Sequence, residues 1–220
     1  MGAIASLAAL QVILWKDNGE PLVHLEDIYP EILCDYSRKE GDLKTVLVRQ
    51  SVASKLIKVH KRLHDHDAHL QLLVVEGYRT PAYQEAYFLK QLLATHQKDP
   101  HRNFEDLVEE AHQCVALPSV AGHPTGGAVD LTLAYAGQEL DMGGMIADFS
   151  LPELLPTYSV SASPDQVKRR GLLHDLMIAE GFAPFYGEWW HFSYGDREWA
   201  AFYHKPETLY SPSADGCLRE

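Results

Sequence analysis

Apolar positions along the chain recur with two different periods, and these divide it into elements. From about Ser51, Val52, Leu56, Val59 and Leu63 fall three or four residues apart, which predicts a helix with one buried face. Leu70–Val75 is a short continuous apolar run and reads as a buried strand. Thr80-Pro81 then opens a helix. The threonine serves as N-cap, and proline takes the first helical position, where its missing N–H costs nothing. Ala82, Tyr83, Ala86, Tyr87, Lys90 and Leu93 are expected on its inner side. Asn103 caps a third helix that runs through Val115, with Phe104, Leu107, Val108 and Ala111 apolar. Ala128–Ala134 alternates as a strand. Ser163-Pro164-Asp165-Gln166 is a capping box opening a helix with Val167, Leu172, Leu173, Leu176 and Met177, which Gly181 ends. Leu43–Val48 and Trp190–Tyr194 read as further strands. Residues 16–42 and 136–162 are rich in loop-forming residues and read mainly as irregular. Helices and strands mix without strict βαβ alternation. The expected fold is therefore α+β: one domain over residues 1–220, with a central antiparallel sheet flanked by helices.

Composition narrows the function classes. Apolar residues make up 46% of the 220, enough for a sizeable core. The formal net charge of −12 excludes a phosphate-backbone binder, so no nucleic acid partner is expected. Cys34, Cys114 and Cys217 are widely spaced and form no C-x-x-C pair, which favours a reducing compartment. Ala3–Trp15 has about the length of a signal-peptide core. No Lys or Arg precedes it, Gln11 interrupts it, and it is too short to span a bilayer. It is expected to pack on the core of a cytoplasmic protein with no membrane partner. Export to the periplasm with cleavage near residue 20 is the alternative.

The candidate chemistry begins in Gly122–Leu133. His123 and Asp130 are seven positions apart, a span that would separate them by roughly 23 Å in an extended strand. Pro124 and Gly126-Gly127 allow a sharp turn between them, and so allow both side chains to serve one metal ion. Glu188-Trp189-Trp190-His191 adds a third candidate donor, His191, and a carboxylate among aromatics. Such a carboxylate can take a proton from an attacking water and return it to a leaving amine. Positions i and i+3 of a regular strand face opposite ways, so Glu188 must sit on a bend before the strand, which Gly187 permits. Arg79, at a strand-to-helix junction, offers a fixed cation for an oxyanion. His60, His64, His66 and His69 form a rival cluster. It lacks the glutamate of H-E-x-x-H and is flanked by Lys58, Lys61 and Arg62, so it reads as a solvated helix face.

The motifs His123-x-x-Gly126-x-Ala128-x-Asp130-Leu131-Thr132-Leu133, Glu188-Trp189-Trp190-His191 and Gly77-Tyr78-Arg79 together resemble the VanX-type D-alanyl-D-alanine dipeptidases, of the D-Ala-D-Ala metallopeptidase family. They span a motif-bearing core of about residues 70–205. The resemblance implies a hedgehog/D,D-peptidase-like fold and one Zn2+ per chain held by His123, Asp130 and His191. It makes Glu188 the general base and acid and Arg79 the stabiliser of the transition state. Asp148 would grip the free amine of a small D-amino-acid dipeptide, with Tyr78 and Trp190 also against the substrate. Family members carry serine two residues before the first histidine, where this chain has Ala121. Two alternatives stand beside the dipeptidase: a D,D-carboxypeptidase or endopeptidase acting on longer peptidoglycan peptides, and a non-catalytic zinc-binding module.

Overall fold

Strand β5 (Ala128–Tyr135) is the spine of the structure, a computed structural model that describes residues 4–37 and 44–213. Its alternation sends Val129, Leu131 and Leu133 to one face and Asp130 and Thr132 to the other, and every residue but Tyr135 is buried. Antiparallel partners lie on both sides, β4 (Leu70–Glu76) and β8 (His191–Ser193), with β7 (Ala183–Pro184) beyond β8. A short β6 (Gln138–Glu139) pairs with the far end of β5. At the other edge β2 (Leu33–Cys34) runs parallel to β4, so the sheet is antiparallel except at that edge. A separate antiparallel pair joins β1 (Leu22–His24) to β3 (Leu47–Arg49).

Helices α3 (Gln50–His66) and α6 (Pro164–Ala179) pack against the Val129/Leu131/Leu133 face and against each other. The expected α3 face is present, with Val52, Leu56, Val59 and Leu63 all at 0% exposure. The α6 cap is also as expected: Ser163 Oγ accepts from Gln166 N and Gln166 answers to Ser163 N. Gly181, at φ +84°, ends α6 in a Schellman arrangement. Its N–H bonds Ile178 O at 2.8 Å, and that of Phe182 bonds Met177 O at 3.1 Å.

Four expectations need correction. Residues 16–42 hold β1, α2 (Leu25–Ile28) and β2, elements too short to show a period. Helix α4 (Pro81–Lys98) buries Gln84, Phe88 and Thr95, while Ala82, Ala86, Lys90 and Leu93 face outward. Polar Gln84 turns inward because Arg79 and Ala116 O both use its amide, and Phe88 packs on Ala111 and Val115. Helix α5 (Phe104–His112) stops before Val115, and Phe104 is exposed. His60 does not belong to a solvated face. It is fully buried, and its Nδ1 accepts from Leu72 N at 3.3 Å. Ala3, Leu43 and Cys217 lie outside the described residues.

The apolar N-terminal segment is α1 (Leu7–Gln11), capped by Ser6. It lies on α7 (Arg197–Phe202) and buries Leu10 and Ile13. No helix among the described residues is long and apolar enough to cross a membrane. Where β4 leaves the sheet, Gly77 passes so close to β3 that a Cβ there would lie 2.3 Å from Leu47 O. That oxygen belongs to the backbone, so it cannot yield by a side-chain rotation. Gly77→Ala is expected to cost ~1–3 kcal/mol of stability in denaturant unfolding.

Candidate active site

The sheet register builds the site. A bulge between Val74 and Glu76 puts Glu76 opposite Asp130, and Asp130 is in turn opposite His191 on β8. Directly opposed residues of antiparallel strands share a face, with Cβ atoms ~5 Å apart. Glu76, Asp130 and His191 therefore form one row across three strands, on the face away from α3 and α6. His123 joins the row from outside the sheet. It opens a single 3-10 turn, His123–Thr125, which Gly126 ends at φ +74° before the chain enters β5. The buried Arg49 braces that turn, its Nε donating to Thr125 O at 2.7 Å.

The three donors converge on one point. His123 Nε2 is 3.3 Å from Asp130 Oδ2, and His191 Nδ1 is 2.9 Å from Asp130 Oδ1. One donor atom from each of the three residues lies within 4.8 Å of the others, a spacing that a shared ion with bonds of ~2 Å requires. Ring orientation is fixed from behind. His123 Nδ1 is 2.8 Å from Gly77 O, which only accepts, so Nδ1 carries the proton and Nε2 presents its lone pair. His191 turns Nε2 toward Glu198 Oε2 at 3.5 Å and Ser193 Oγ at 3.4 Å. Burial works against the Asp130 carboxylate, but the two imidazoles outweigh it and hold its pKa well below the usual range. Burial likewise opposes charge on His191, yet its bonds to Asp130 and Glu198 leave its pKa raised.

Glu188 lies in the loop after β7, three residues before His191 and outside the regular strand, as the i, i+3 spacing of the two requires if they are to share a face. Burial pushes its pKa up to about 8, helped by the neighbouring Asp130 and Glu198 carboxylates and opposed by His191 and Arg79. A carboxyl poised in this range can both take up and release a proton near neutrality. Arg79 sits in a fork of acceptors: Nε and Nη2 donate to the two Glu76 oxygens at 3.0 and 2.5 Å, and Nη1 to Gln84 Oε1 at 2.9 Å. Burial lowers its pKa, but Glu76 and Asp130 more than compensate, so it stays charged. Its guanidinium lies 5.1 Å from the Tyr87 ring centroid.

Arg79, His123, Asp130, Glu188, Trp190 and His191 all line one cleft. Ala121, where the family pattern has serine, lines it too. Two expected residues are placed elsewhere. Tyr78 is buried with Leu22 and Leu47 and donates to Ser213 O at 2.7 Å, away from the cleft lining. Tyr78 is therefore not placed to touch a substrate in this cleft, contrary to expectation, because the chain after β4 turns it away from the side that Arg79 faces. Asp148 is on the exposed rim, its Oδ1 accepting from Ser150 N at 2.9 Å, while its neighbours Ala147 and Phe149 line the cleft. Sequence patterning did not point to Glu76, Glu198 or Ser193. The Glu76/Arg79 spacing of three was visible, but pairing across a strand-to-helix bend carries no periodic signal.

A three-donor nest, a carboxyl with a raised pKa and a braced cation facing one cleft are the parts that a metal-assisted hydrolase uses. A family model described as D-ala-D-ala dipeptidase matches residues 37–208, and the chain belongs to that family of peptidases. It is 29% identical to a D-alanyl-D-alanine dipeptidase of Synechocystis sp. over 86% of this chain and 88% of that protein. Among solved structures it is similar to the LdcB LD-carboxypeptidase (20% identity, TM-score 0.48, covering 86% of this chain and 77% of the other). It is also similar to the VanY D,D-pentapeptidase solved with Zn(II) (16% identity, TM-score 0.44, covering 91% and 97%).

Proposed function

We propose that the protein is a zinc-dependent dipeptidase that hydrolyses D-Ala-D-Ala to two D-alanines. The observation that carries this reading is the convergence of His123, Asp130 and His191 on one point beside the buried Glu188. A mixed imidazole and carboxylate set of three suits Zn2+ and leaves a coordination position open. When bound there, zinc supplies Lewis acidity and eases deprotonation of water at neutral pH. Within that setting Glu188 takes the proton of the attacking water on its carboxylate. The same carboxyl then delivers that proton to the departing amine nitrogen as the peptide bond breaks. Arg79, charged and braced by Glu76, faces the oxyanion that develops on the scissile carbonyl. Trp190 and Phe149, their ring centroids 6.4 Å apart, exclude water from the cleft and so strengthen these interactions.

Asp148 is our candidate for the dipeptide's free amine, reached by leaving the Ser150 N–H. Asp148→Ala is expected to lower kcat/KM for D-Ala-D-Ala ~10–100-fold, mainly through KM, as for a lost charge-assisted hydrogen bond. The reading is tested by bound zinc and by turnover of D-Ala-D-Ala against N-acyl-D-Ala-D-Ala. A dipeptidase needs the free amine and discriminates strongly; equal rates on the acylated and longer peptides would establish the carboxypeptidase alternative. The free thiols of Cys34 and Cys114 support a reducing, cytoplasmic setting.

A further inference from the structure

We infer that Glu198 is a positioning residue for the metal centre, accepting the Nε2–H of His191 and so holding that ring with Nδ1 toward the site. This rests on the zinc reading above. A histidine that donates one ring nitrogen to a metal must place the other N–H on an acceptor, and the acceptor fixes both tautomer and ring angle. His123 uses the carbonyl of Gly77 for this purpose. Among the described residues no carbonyl bonds Nε2 of His191. Its Nε2 faces Glu198 Oε2 at 3.5 Å, and the hydroxyl of Ser193 lies 3.4 Å from Nε2 and 3.5 Å from that same Oε2.

The local fold delivers Glu198 to this position. Strand β8 ends at Ser193, Gly195 reverses the chain at φ +77°, and Asp196 caps α7 by accepting from Trp199 N at 2.9 Å. Glu198 is thereby in the first turn of α7, seven residues from His191 yet folded back beside it. The carboxylate is buried, at 16% side-chain exposure, in a neighbourhood that already holds Asp196 and Glu188. Three nearby acids repel one another, and such a placement is costly unless a cation or a fixed donor compensates. A metal-bound imidazole is that donor.

The test uses the full chain. Zinc affinity is measured by chelator competition for wild type, Glu198→Ala, Glu198→Gln and His123→Ala, together with the visible spectrum of the Co2+-substituted proteins. Glu198→Ala is expected to bind zinc ~10–100-fold more weakly and to alter the cobalt spectrum, whereas Glu198→Gln, whose amide oxygen still accepts, stays within about threefold of wild type. A structural role alone would not separate Ala from Gln in metal affinity. Glu198→Ala affinity equal to wild type, with His123→Ala strongly weakened, would overturn this inference and leave the zinc site intact. Absence of stoichiometric zinc in wild type would sink both. If Glu198→Ala does not fold, the zinc-loaded wild type decides. A downfield, exchange-protected His191 Nε2 proton in its NMR spectrum supports the inference, and an unprotected one overturns it.

Discussion

Glu188→Gln is expected to lower kcat for D-Ala-D-Ala by ~10³-fold or more, with bound zinc unchanged and KM little altered. General acid–base groups contribute ~10²–10⁴-fold, and in the proposed mechanism one carboxyl serves both proton transfers, which sets the expectation at the upper end. Glutamine keeps the volume and leaves the donors His123, Asp130 and His191 untouched, so metal content separates a chemical defect from a broken site. Near-wild-type turnover in this variant would remove Glu188 from the mechanism. The same substitution has a signature in the metal-free protein. Glu188 has a folded pKa of about 8 against an ordinary 4.5, so it is raised. A raised group stabilises the fold fully below its unfolded pKa, and that contribution is lost as pH climbs through the folded value. Between about pH 4.5 and 8, wild type should therefore lose stability on the order of 4 kcal/mol relative to Glu188→Gln. His191, also raised, adds a falling term above its ordinary pKa of 6.5, and because it interacts with Glu188 the difference between the two melting curves reports the pair and not Glu188 alone.

What could be read from the chain and what could not divides on physical lines. Caps and long amphipathic faces are local, so Ser163, Gly181 and the Val52–Leu63 stripe are enough to specify α6 and α3. The donor residues were legible because Pro124 and Gly126 state that the chain turns between His123 and Asp130. Their convergence was not legible in the same sense: it depends on the β5–β8 register that puts Asp130 opposite His191. The α4 face was misread because hydrophobicity placed Leu93 inside, whereas the hydrogen bonds of Gln84 to Arg79 and Ala116 O decide the rotation. Glu198 gave no signal at all. Its spacing from His191 means nothing until Gly195 and the Asp196 cap fold α7 back on β8.

Arg79 provides the other large effect, and its two roles come apart in a mutant cycle. In the proposed mechanism Arg79→Ala removes a fixed donor facing the developing oxyanion, an expected loss of ~10²–10³ in kcat. It also strands Glu76, whose carboxylate has 13% side-chain exposure and pairs with Arg79 at 2.5 Å. Breaking one side of a buried pair costs ~3–5 kcal/mol, so the single variant should be both slow and unstable. Replacing Glu76 by Gln in the same chain removes the uncompensated charge. The double variant Glu76→Gln/Arg79→Ala is then expected to recover most of the stability in denaturant unfolding and none of the turnover. Arg79→Lys tests the geometry from another side. A lysine keeps the charge but cannot meet both Glu76 oxygens and Gln84 Oε1 in one plane, as the guanidinium does at 3.0, 2.5 and 2.9 Å. Its folding should therefore approach wild type while kcat stays depressed by at least tenfold. If the double variant regained turnover along with stability, Arg79 would be a brace for the β4–α4 bend and the oxyanion would need another donor.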